Sequence, residues 1–247
     1  MLRRQRNNGE DIMSLGNANV FVDPERRTIF FHDAVNPNTM ALICSAMQSF
    51  ITIDDELEDT QKEYERQPIH LYINSPGGSL YDMWALVDIM LMSKTPIYTY
   101  CTGYAMSAAF VIFVCGDRRF ITPHVTLMCH QLSSAQDGTY LDLAQGLDEL
   151  TWAQANAEQL ICDFTDIPVE TMKKIRTEKL DYYIHAKEAL ELNVADCLIG
   201  EERIQFTTEQ VIDEKKEEVK ETIEENKPSK NNKEKKKKKG FFEKLKK

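Results

Sequence analysis

The chain has 247 residues, of which 42% are hydrophobic and 28% charged, so it can form one large soluble domain or two small ones. Its formal net charge of −10 is uneven, because eleven lysines and two glutamates give residues 227–247 a charge of +9 and leave −19 for residues 1–226. A body this acidic is a poor nucleic-acid binder, so any affinity for phosphates is expected to come from the tail.

Membrane, secreted and disulfide-bonded classes are not favoured. The longest apolar run, "AAFVIFVC" at 108–115, is much shorter than the roughly 20 residues that cross a bilayer. No apolar segment follows the N-terminal arginines, so no secretory signal is expected. The six cysteines have no Cys-x-x-Cys spacing, which favours free thiols and gives no zinc or disulfide framework. We therefore expect a cytoplasmic protein.

The first part of the chain predicts a few short elements. Residues 1–18 are polar and expected to be flexible. The stretch "NVFVDPERRTIFFH" predicts two strands around a turn. Apolar residues at helical spacing predict a helix over 39–51, and the charged stretch "DDELEDTQKEYERQ" is expected to extend that helix or form a loop.

From residue 69 onward, short apolar strands alternate with helical patterns, which predicts an α/β fold with a largely parallel sheet. The predicted strands are "IHLYI", "PIYTYC", "RRFIT", "VTLMC" and "VADCLI". The predicted helices are 80–92, 106–115, 139–166, "VETMKKIR" and "HAKEALELN". The charged, Lys-rich tail 201–247 is expected to be disordered.

Three polar residues stand at the ends of predicted elements, and each has a plain structural alternative. Ser107 begins an apolar helix that follows a predicted strand, and Gly103 is expected to allow a sharp turn of the chain between them. Ser107 could simply cap that helix. His130 ends an apolar strand and could be structural. Asp181 precedes a predicted helix and could be its N-cap or a turn residue. No single signal decides between these roles.

Taken together, the motifs resemble one family. They are "LYINSPGGS", "GYAMSAAF", "HQ" with Gly138 and Asp142 further on, and an aspartate followed by an aromatic residue and "AKEALELNVAD". In this order, over roughly residues 20–200, the chain resembles the proteolytic subunit of Clp protease, as a divergent member of the kind a bacteriophage carries. The resemblance implies a ClpP- or crotonase-like α/β spiral of parallel strands and helices.

The resemblance also implies a serine endopeptidase site. Ser107 would be the nucleophile, His130 the general base and then acid, and Asp181 the group that orients the imidazole. The Gly78 and Ala108 N–H groups would form the oxyanion hole. The substrate-binding positions it implies are Gly77, Ser79, Gln131 and Leu132.

The implied partners follow from the same resemblance. The chain would assemble with itself into heptameric rings, stacked in pairs, and cleave unfolded proteins or peptides without a metal or cofactor. ATP would be used by a separate AAA+ ATPase of the Clp type, since no Gly-x-x-x-x-Gly-Lys loop is present. The first helix and "TIFF" could form its docking groove. No nucleic-acid or membrane binding is predicted for the body of the chain.

Several departures from the family pattern keep other functions open. The usual Ser-Met-Gly is Ser107-Ala108-Ala109, the usual "HQP-x-GG" is "HQLSSAQ", and Leu180 replaces an arginine that takes part in ring pairing. The alternatives are a capsid-maturation protease of similar fold, an acyl-CoA enzyme with the same oxyanion scaffold, and a non-catalytic ring subunit. The tail motif "GFFEKLKK" could contact an anionic surface, nucleic acid or an assembly partner, although a solvated tail is expected.

Overall fold

A computed structural model describes the backbone of residues 3–7 and 10–14 and the full residues 19–200. The chain divides into two units, Met1–Glu201 and Glu202–Lys247. The second unit holds the Lys-rich tail that we expect to be disordered, and it lies outside the described residues.

The described strands form one mixed sheet. Five neighbouring pairs are parallel (β4–β5, β5–β6, β6–β7, β6–β8 and β7–β10), and four are antiparallel (β1–β2, β2–β3, β3–β4 and β8–β9). Their bounds are β1 Arg3–Asn7, β2 Glu10–Ser14, β3 Val20–Asp23, β4 Thr28–Phe31, β5 Ile69–Ser75, β6 Ile97–Met106, β7 Arg118–Ile121, β8 Thr126–Cys129, β9 Tyr182–His185 and β10 Cys197–Leu198.

Six helices connect these strands within the described residues. They are α1 Pro37–Thr60, α2 Leu80–Met92, α3 Ala108–Val114, α4 Tyr140–Phe164, α5 Val169–Glu178 and α6 Ala186–Glu191. The predicted α/β fold is confirmed, with parallel pairing from β4 through β7 to β10 and antiparallel pairing among β1 to β4 and between β8 and β9. The sequence did not predict β1 and β2, which lie within the segment 1–18, or β9.

The two faces of the sheet differ because side chains alternate along a strand. In β5, Ile69, Leu71 and Ile73 are fully buried in the core, whereas His70 and Tyr72 lie on the opposite, half-exposed face. Every residue of α3 is buried, as its wholly apolar sequence predicts. The helix start that follows β6 therefore sits on a rigid core.

Helix α1 continues past 39–51 into the charged stretch, as one of the two expected alternatives has it, and one acidic residue of this extension is buried rather than exposed. Asp54 is 0% exposed. Its carboxylate accepts hydrogen bonds from Arg27 at 2.7 Å, Thr95 at 2.6 Å and Tyr64 at 2.5 Å. Since a buried carboxylate needs such partners, this network holds the charged end of α1 on the body of the protein.

Strand β6 also differs from the prediction. It runs through Gly103 to Met106 without turning. A Cβ at Gly103 would lie 2.4 Å from the Asn74 side-chain oxygen, and that oxygen accepts the Tyr104 N–H. Gly103 is thus needed for the close approach of β5 and β6, and the expectation that it turns the chain is wrong.

Candidate active site

Ser107 lies in the sharp turn between β6 and α3. Its φ of 55° and ψ of −124° are uncommon for a residue with a side chain and cost of order 1–3 kcal/mol. The Ser107 N–H donates to the Met128 carbonyl at 2.9 Å, and its carbonyl accepts the Phe110 N–H at 3.0 Å. Ser107 occupies the N-cap position of α3, but its side chain makes no capping hydrogen bond, so capping does not account for the serine hydroxyl.

The Ser107 side chain instead contacts His130. The distance between Ser107 Oγ and His130 Nε2 is 2.8 Å. The sheet creates this contact, because β6 and β8 are parallel neighbours with Met106 opposite Met128, so that the two residues leave the same edge of the sheet. His130 is partly open to solvent, with 26% of its side chain exposed.

Asp181 reaches the other side of the same imidazole. The antiparallel ladder of β8 and β9 ends at the pair Cys129–Tyr182, so His130 and Asp181 are the next residues beyond its last rung. His130 Nδ1 and Asp181 Oδ1 are 3.6 Å apart, close enough for an ion pair but longer than a hydrogen bond. Because Asp181 precedes β9 and α6 begins after His185, the N-cap alternative for Asp181 is wrong.

The Pro-Gly-Gly turn packs directly against the serine turn. Gly77 and Gly78 have φ values of 87° and 150°. A Cβ at Gly77 would lie 2.4 Å from the Met106 carbonyl oxygen, and one at Gly78 would lie 2.2 Å from that of Val35. Both positions thus require glycine for conformation and for space.

The glycine turn pairs with Val35 in a parallel bridge, and this pairing leaves the Gly78 N–H directed away from Val35. The Val35 N–H donates to the Gly77 carbonyl at 2.9 Å, and the Ser79 N–H donates to the Val35 carbonyl at 2.8 Å. In such a parallel bridge the N–H of the middle residue, Gly78, points to the other side. Ala108, as the first residue of α3, likewise has an N–H that no earlier turn of its own helix can accept.

A cleft that is open to solvent begins at these groups. Its walls come from the glycine turn, the start of α3, the end of β8 and the helices α4 and α5. The lining residues are Gly78, Leu80, Ser107, Ala108, Val111, Cys129, His130, Leu132, Gln154, Ala157, Glu158, Ile161 and Met172.

The four predicted substrate-binding residues are placed differently from one another. Leu132 lines the cleft, and its N–H donates to Gln154 Oε1 at 2.7 Å. Gln131 is half-buried beside His130. The Ser79 hydroxyl accepts the Asp82 N–H at 3.4 Å and so caps α2. Gly77 packs against the backbone and Cβ of the Ser107 turn. Their contact with a substrate stays a prediction.

The sequence analysis missed the residues that α4 and α5 contribute to the cleft. Gln154, Glu158 and Ile161 follow one another at helical spacing along one side of α4, and Met172 comes from α5. No sequence pattern indicated that this side of α4 would face Ser107.

The surroundings of the site keep the nearby thiol neutral. Burial raises the pKa of Cys129 to about 12, and the negative charge of Glu158 acts in the same direction. All six cysteines are free. Within residues 19–200 we find no group of three His, Cys, Asp or Glu side chains able to hold a metal ion. None of the described helices is long and apolar enough to cross a membrane.

Fold and site together define an α/β protein with a strained serine, a histidine in contact with it and an aspartate beyond, beside a glycine turn. Comparison with known families makes the assignment specific, because the Clp protease family profile matches residues 24–202. The chain belongs to the Clp protease family.

Individual relatives agree with this assignment. The chain is similar to the ATP-dependent Clp protease proteolytic subunit 4 of Rhodococcus jostii, with 36% identity over 147 residues, or 59% of this chain and 75% of the relative. Identity to the Deinococcus radiodurans proteolytic subunit is 33% over 161 residues, which cover 64% and 77% of the two chains. For subunit 2 of Parasynechococcus marenigrum, identity is 30% over 181 residues, which cover 72% and 86%.

Proposed function

We propose that the chain is a serine endopeptidase subunit of an ATP-dependent Clp-type protease, with Ser107, His130 and Asp181 as its catalytic residues. The observation that carries the proposal is the 2.8 Å contact between Ser107 Oγ and His130 Nε2 at a strained turn. This geometry supplies what a weak nucleophile needs, which is a base already within reach of its proton.

In the first half-reaction, Ser107 Oγ attacks the peptide carbonyl carbon while His130 Nε2 takes the hydroxyl proton. Asp181 stabilises the resulting imidazolium. The Gly78 and Ala108 N–H groups bind the developing oxyanion, and such a donor typically contributes about 3 kcal/mol to lowering the barrier. Collapse of the tetrahedral intermediate breaks the C–N bond, and His130 gives its proton to the leaving amine.

The second half-reaction releases the acyl group. Water attacks the carbonyl carbon of the ester formed with Ser107, and His130 takes a proton from that water. The bond between this carbon and Ser107 Oγ then breaks, the acid product leaves, and His130 returns the proton to Ser107 Oγ. The substrate must be extended for its carbonyl to reach the turn, since the glycines offer backbone rather than a deep pocket there. This requirement fits unfolded proteins and peptides as substrates.

We further propose that copies of the chain assemble into stacked heptameric rings. Helix α4 supports this, because its apolar stripe extends beyond the part that the chain itself covers. Ala153 and Ala157 are 0% and 5% exposed, whereas Leu147 is 63% and Leu141 66% exposed. A second copy of this chain is the partner we expect on the exposed half.

A Clp-type ATPase is the second proposed partner. Phe30, in the predicted "TIFF" segment, begins a row of stacked rings across the half-exposed face of the sheet. Ring centroids are 5.2 Å apart for Phe30–Tyr72, 4.4 Å for Tyr72–Tyr100 and 4.6 Å for Tyr100–Phe120. Such a surface suits an apolar loop of the ATPase. Co-elution with a Clp ATPase and degradation of a folded, tagged substrate test this partner.

The catalytic proposal is tested by hydrolysis of short fluorogenic peptides, with native mass measured on the same samples. We expect Ser107→Ala to leave the assembly intact and to lower the rate by about 10³-fold or more, because it removes the nucleophile. Full activity in this variant would contradict the proposal.

One observation favours a second candidate, a non-catalytic ring subunit. The 3.6 Å separation of His130 and Asp181 and the 54% exposure of the Asp181 side chain leave the imidazole loosely oriented. If this candidate is right, a fluorophosphonate probe will fail to label Ser107 in the assembled protein. Labelling that Ser107→Ala abolishes would reject it.

A further inference from the structure

Helix α4 brings a carboxylate into the wall of the cleft. Among the described residues that line the cleft, Glu158 is the only acidic one. Around it the wall is apolar, built from Val111, Ala157, Ile161 and Met172. A side chain that enters the cleft therefore meets an apolar wall that carries one carboxylate.

The partners of Glu158 hold it in place. Its Oε1 accepts from Gln154 Nε2 at 2.9 Å, and its Oε2 accepts from an Arg176 guanidinium nitrogen at 2.8 Å. The side chain of Glu158 is 13% exposed and that of Arg176 is 52% exposed. Arg176 is not among the cleft-lining residues, so this cation approaches from outside the cleft.

The carboxylate keeps capacity for a further donor. Each carboxylate oxygen has two lone-pair directions, and the bonds just described use one on each oxygen. The Gln154 amide is also fixed at its other end, because its Oε1 accepts the Leu132 N–H. Glu158 is thus a hydrogen-bond acceptor held in a fixed position. Because Arg176 is exposed, another cation can partly displace it from the Glu158 carboxylate.

We propose that Glu158 makes the cleft selective for arginine or lysine as the residue whose carbonyl Ser107 attacks. This inference rests on the proposed peptidase function. The aliphatic stem of such a side chain packs against the apolar wall while its charged head reaches Glu158. A glutamate at the same substrate position would place like charges together in a partly desolvated cleft and is disfavoured.

The test uses the full chain and three fluorogenic peptides that differ only in arginine, methionine or glutamate before the scissile bond. Wild type should cleave them in this order, with kcat/KM for arginine about tenfold above that for methionine, the effect of roughly 1.4 kcal/mol. Glu158→Gln keeps the size of the side chain and removes its charge. It should lower the arginine-to-methionine ratio of kcat/KM about tenfold.

Two further variants provide the controls. Arg176→Ala removes the competing cation and should raise the arginine-to-methionine ratio. Glu149→Gln makes the same charge change at an exposed position of α4 that does not line the cleft, and it should leave the ratio unchanged.

The possible failures are distinguishable. If wild type cleaves the methionine peptide in a Ser107-dependent way but Glu158→Gln leaves the ratio unchanged, the selectivity inference is wrong and the peptidase function stands. An equal loss on all three peptides would give Glu158 a structural role only and would also overturn the inference. If wild type cleaves none of the peptides, the proposed function fails and the inference fails with it.

Discussion

The backbone conformation of Ser107 and of the two glycines beside it determines the geometry of the site. Ser107 is held at positive φ by hydrogen bonds to β8 and α3, and a methyl group added at Gly77 would lie 2.8 Å from the Ser107 Cβ. The orientation of the hydroxyl is therefore set by the fold before any substrate arrives. Adding a single methyl group at either glycine should therefore lower the peptidase activity that we propose.

We predict that Gly78→Ala lowers kcat/KM for peptide hydrolysis by at least about 10²-fold, the typical effect of losing one oxyanion donor. The new methyl group would lie 2.2 Å from the Val35 carbonyl oxygen, so the turn must shift and move its amide. Steady-state kinetics on a fluorogenic peptide measures the effect.

Gly146→Ala is the matched control for this substitution. Gly146 lies in α4, and its added methyl group would meet only the flexible end of the Gln136 side chain. Activity should stay near the wild-type value. Equal losses in both variants would show that Gly78 has no special role.

At the scale of elements, a buried carboxylate attaches the second half of a helix to the body of the protein. Asp54 of α1 is buried among Arg27, Thr95 and Tyr64. Burial raises the pKa of Asp54, but the hydrogen bonds from Thr95 and Tyr64 and the charge of Arg27 outweigh it and lower the pKa below its ordinary value. The ionised form of Asp54 is therefore the one that the folded state favours.

We predict that Asp54→Asn lowers the free energy of unfolding by about 3 kcal/mol at pH 7, because it leaves Arg27 without its buried partner. A depressed folded-state pKa means that the stabilisation is complete above the unfolded value of about 4 and is lost as the pH falls through the folded value. The difference between wild type and variant should thus shrink below about pH 4. Urea denaturation from pH 3 to pH 8 measures it.

Asp59→Asn is the control for Asp54→Asn. It makes the same change at an exposed position of α1, and surface substitutions of this kind usually stay within about 0.5 kcal/mol. A difference from wild type that does not depend on pH, or an equal effect of the two variants, would contradict the role assigned to Asp54.

The elements also show which parts of the structure the sequence can predict. Strands β5, β6 and β8 and helix α2 were predicted because their apolar runs are bounded by turn residues. The glycine turn follows β5, Ser107 follows β6 and His130 follows β8. Strand β9 has only four residues and pairs with β8 alone, so no local periodicity marks it. Likewise, nothing local to α1 shows that Asp54 has partners 27, 41 and 10 residues away.

At the scale of the whole molecule, the exposed half of α4 is the feature that a single chain does not explain. Tyr140, Leu141 and Leu147 are 83%, 66% and 63% exposed on a helix whose second half packs on the core. Apolar side chains this exposed and this close together mark an association surface.

We predict that Leu147→Glu lowers the native mass of the assembly, because a charge placed in an apolar interface must be desolvated without a partner. Gln145→Glu adds the same charge at a polar, exposed position two residues earlier and should leave the mass unchanged. Size-exclusion chromatography with light scattering distinguishes them. An unchanged mass for Leu147→Glu would remove α4 from the assembly surface.

The ladder between β8 and β9 has a consequence for control of turnover. Its last rung, Cys129–Tyr182, places Asp181 opposite His130. Because the ends of short ladders open at little cost, opening of this one rung would move Asp181 away from His130 while Ser107 and His130 keep their contact. Under the proposed mechanism such a molecule would stay folded but inactive, and a neighbour that holds the end of β9 in place would raise its activity.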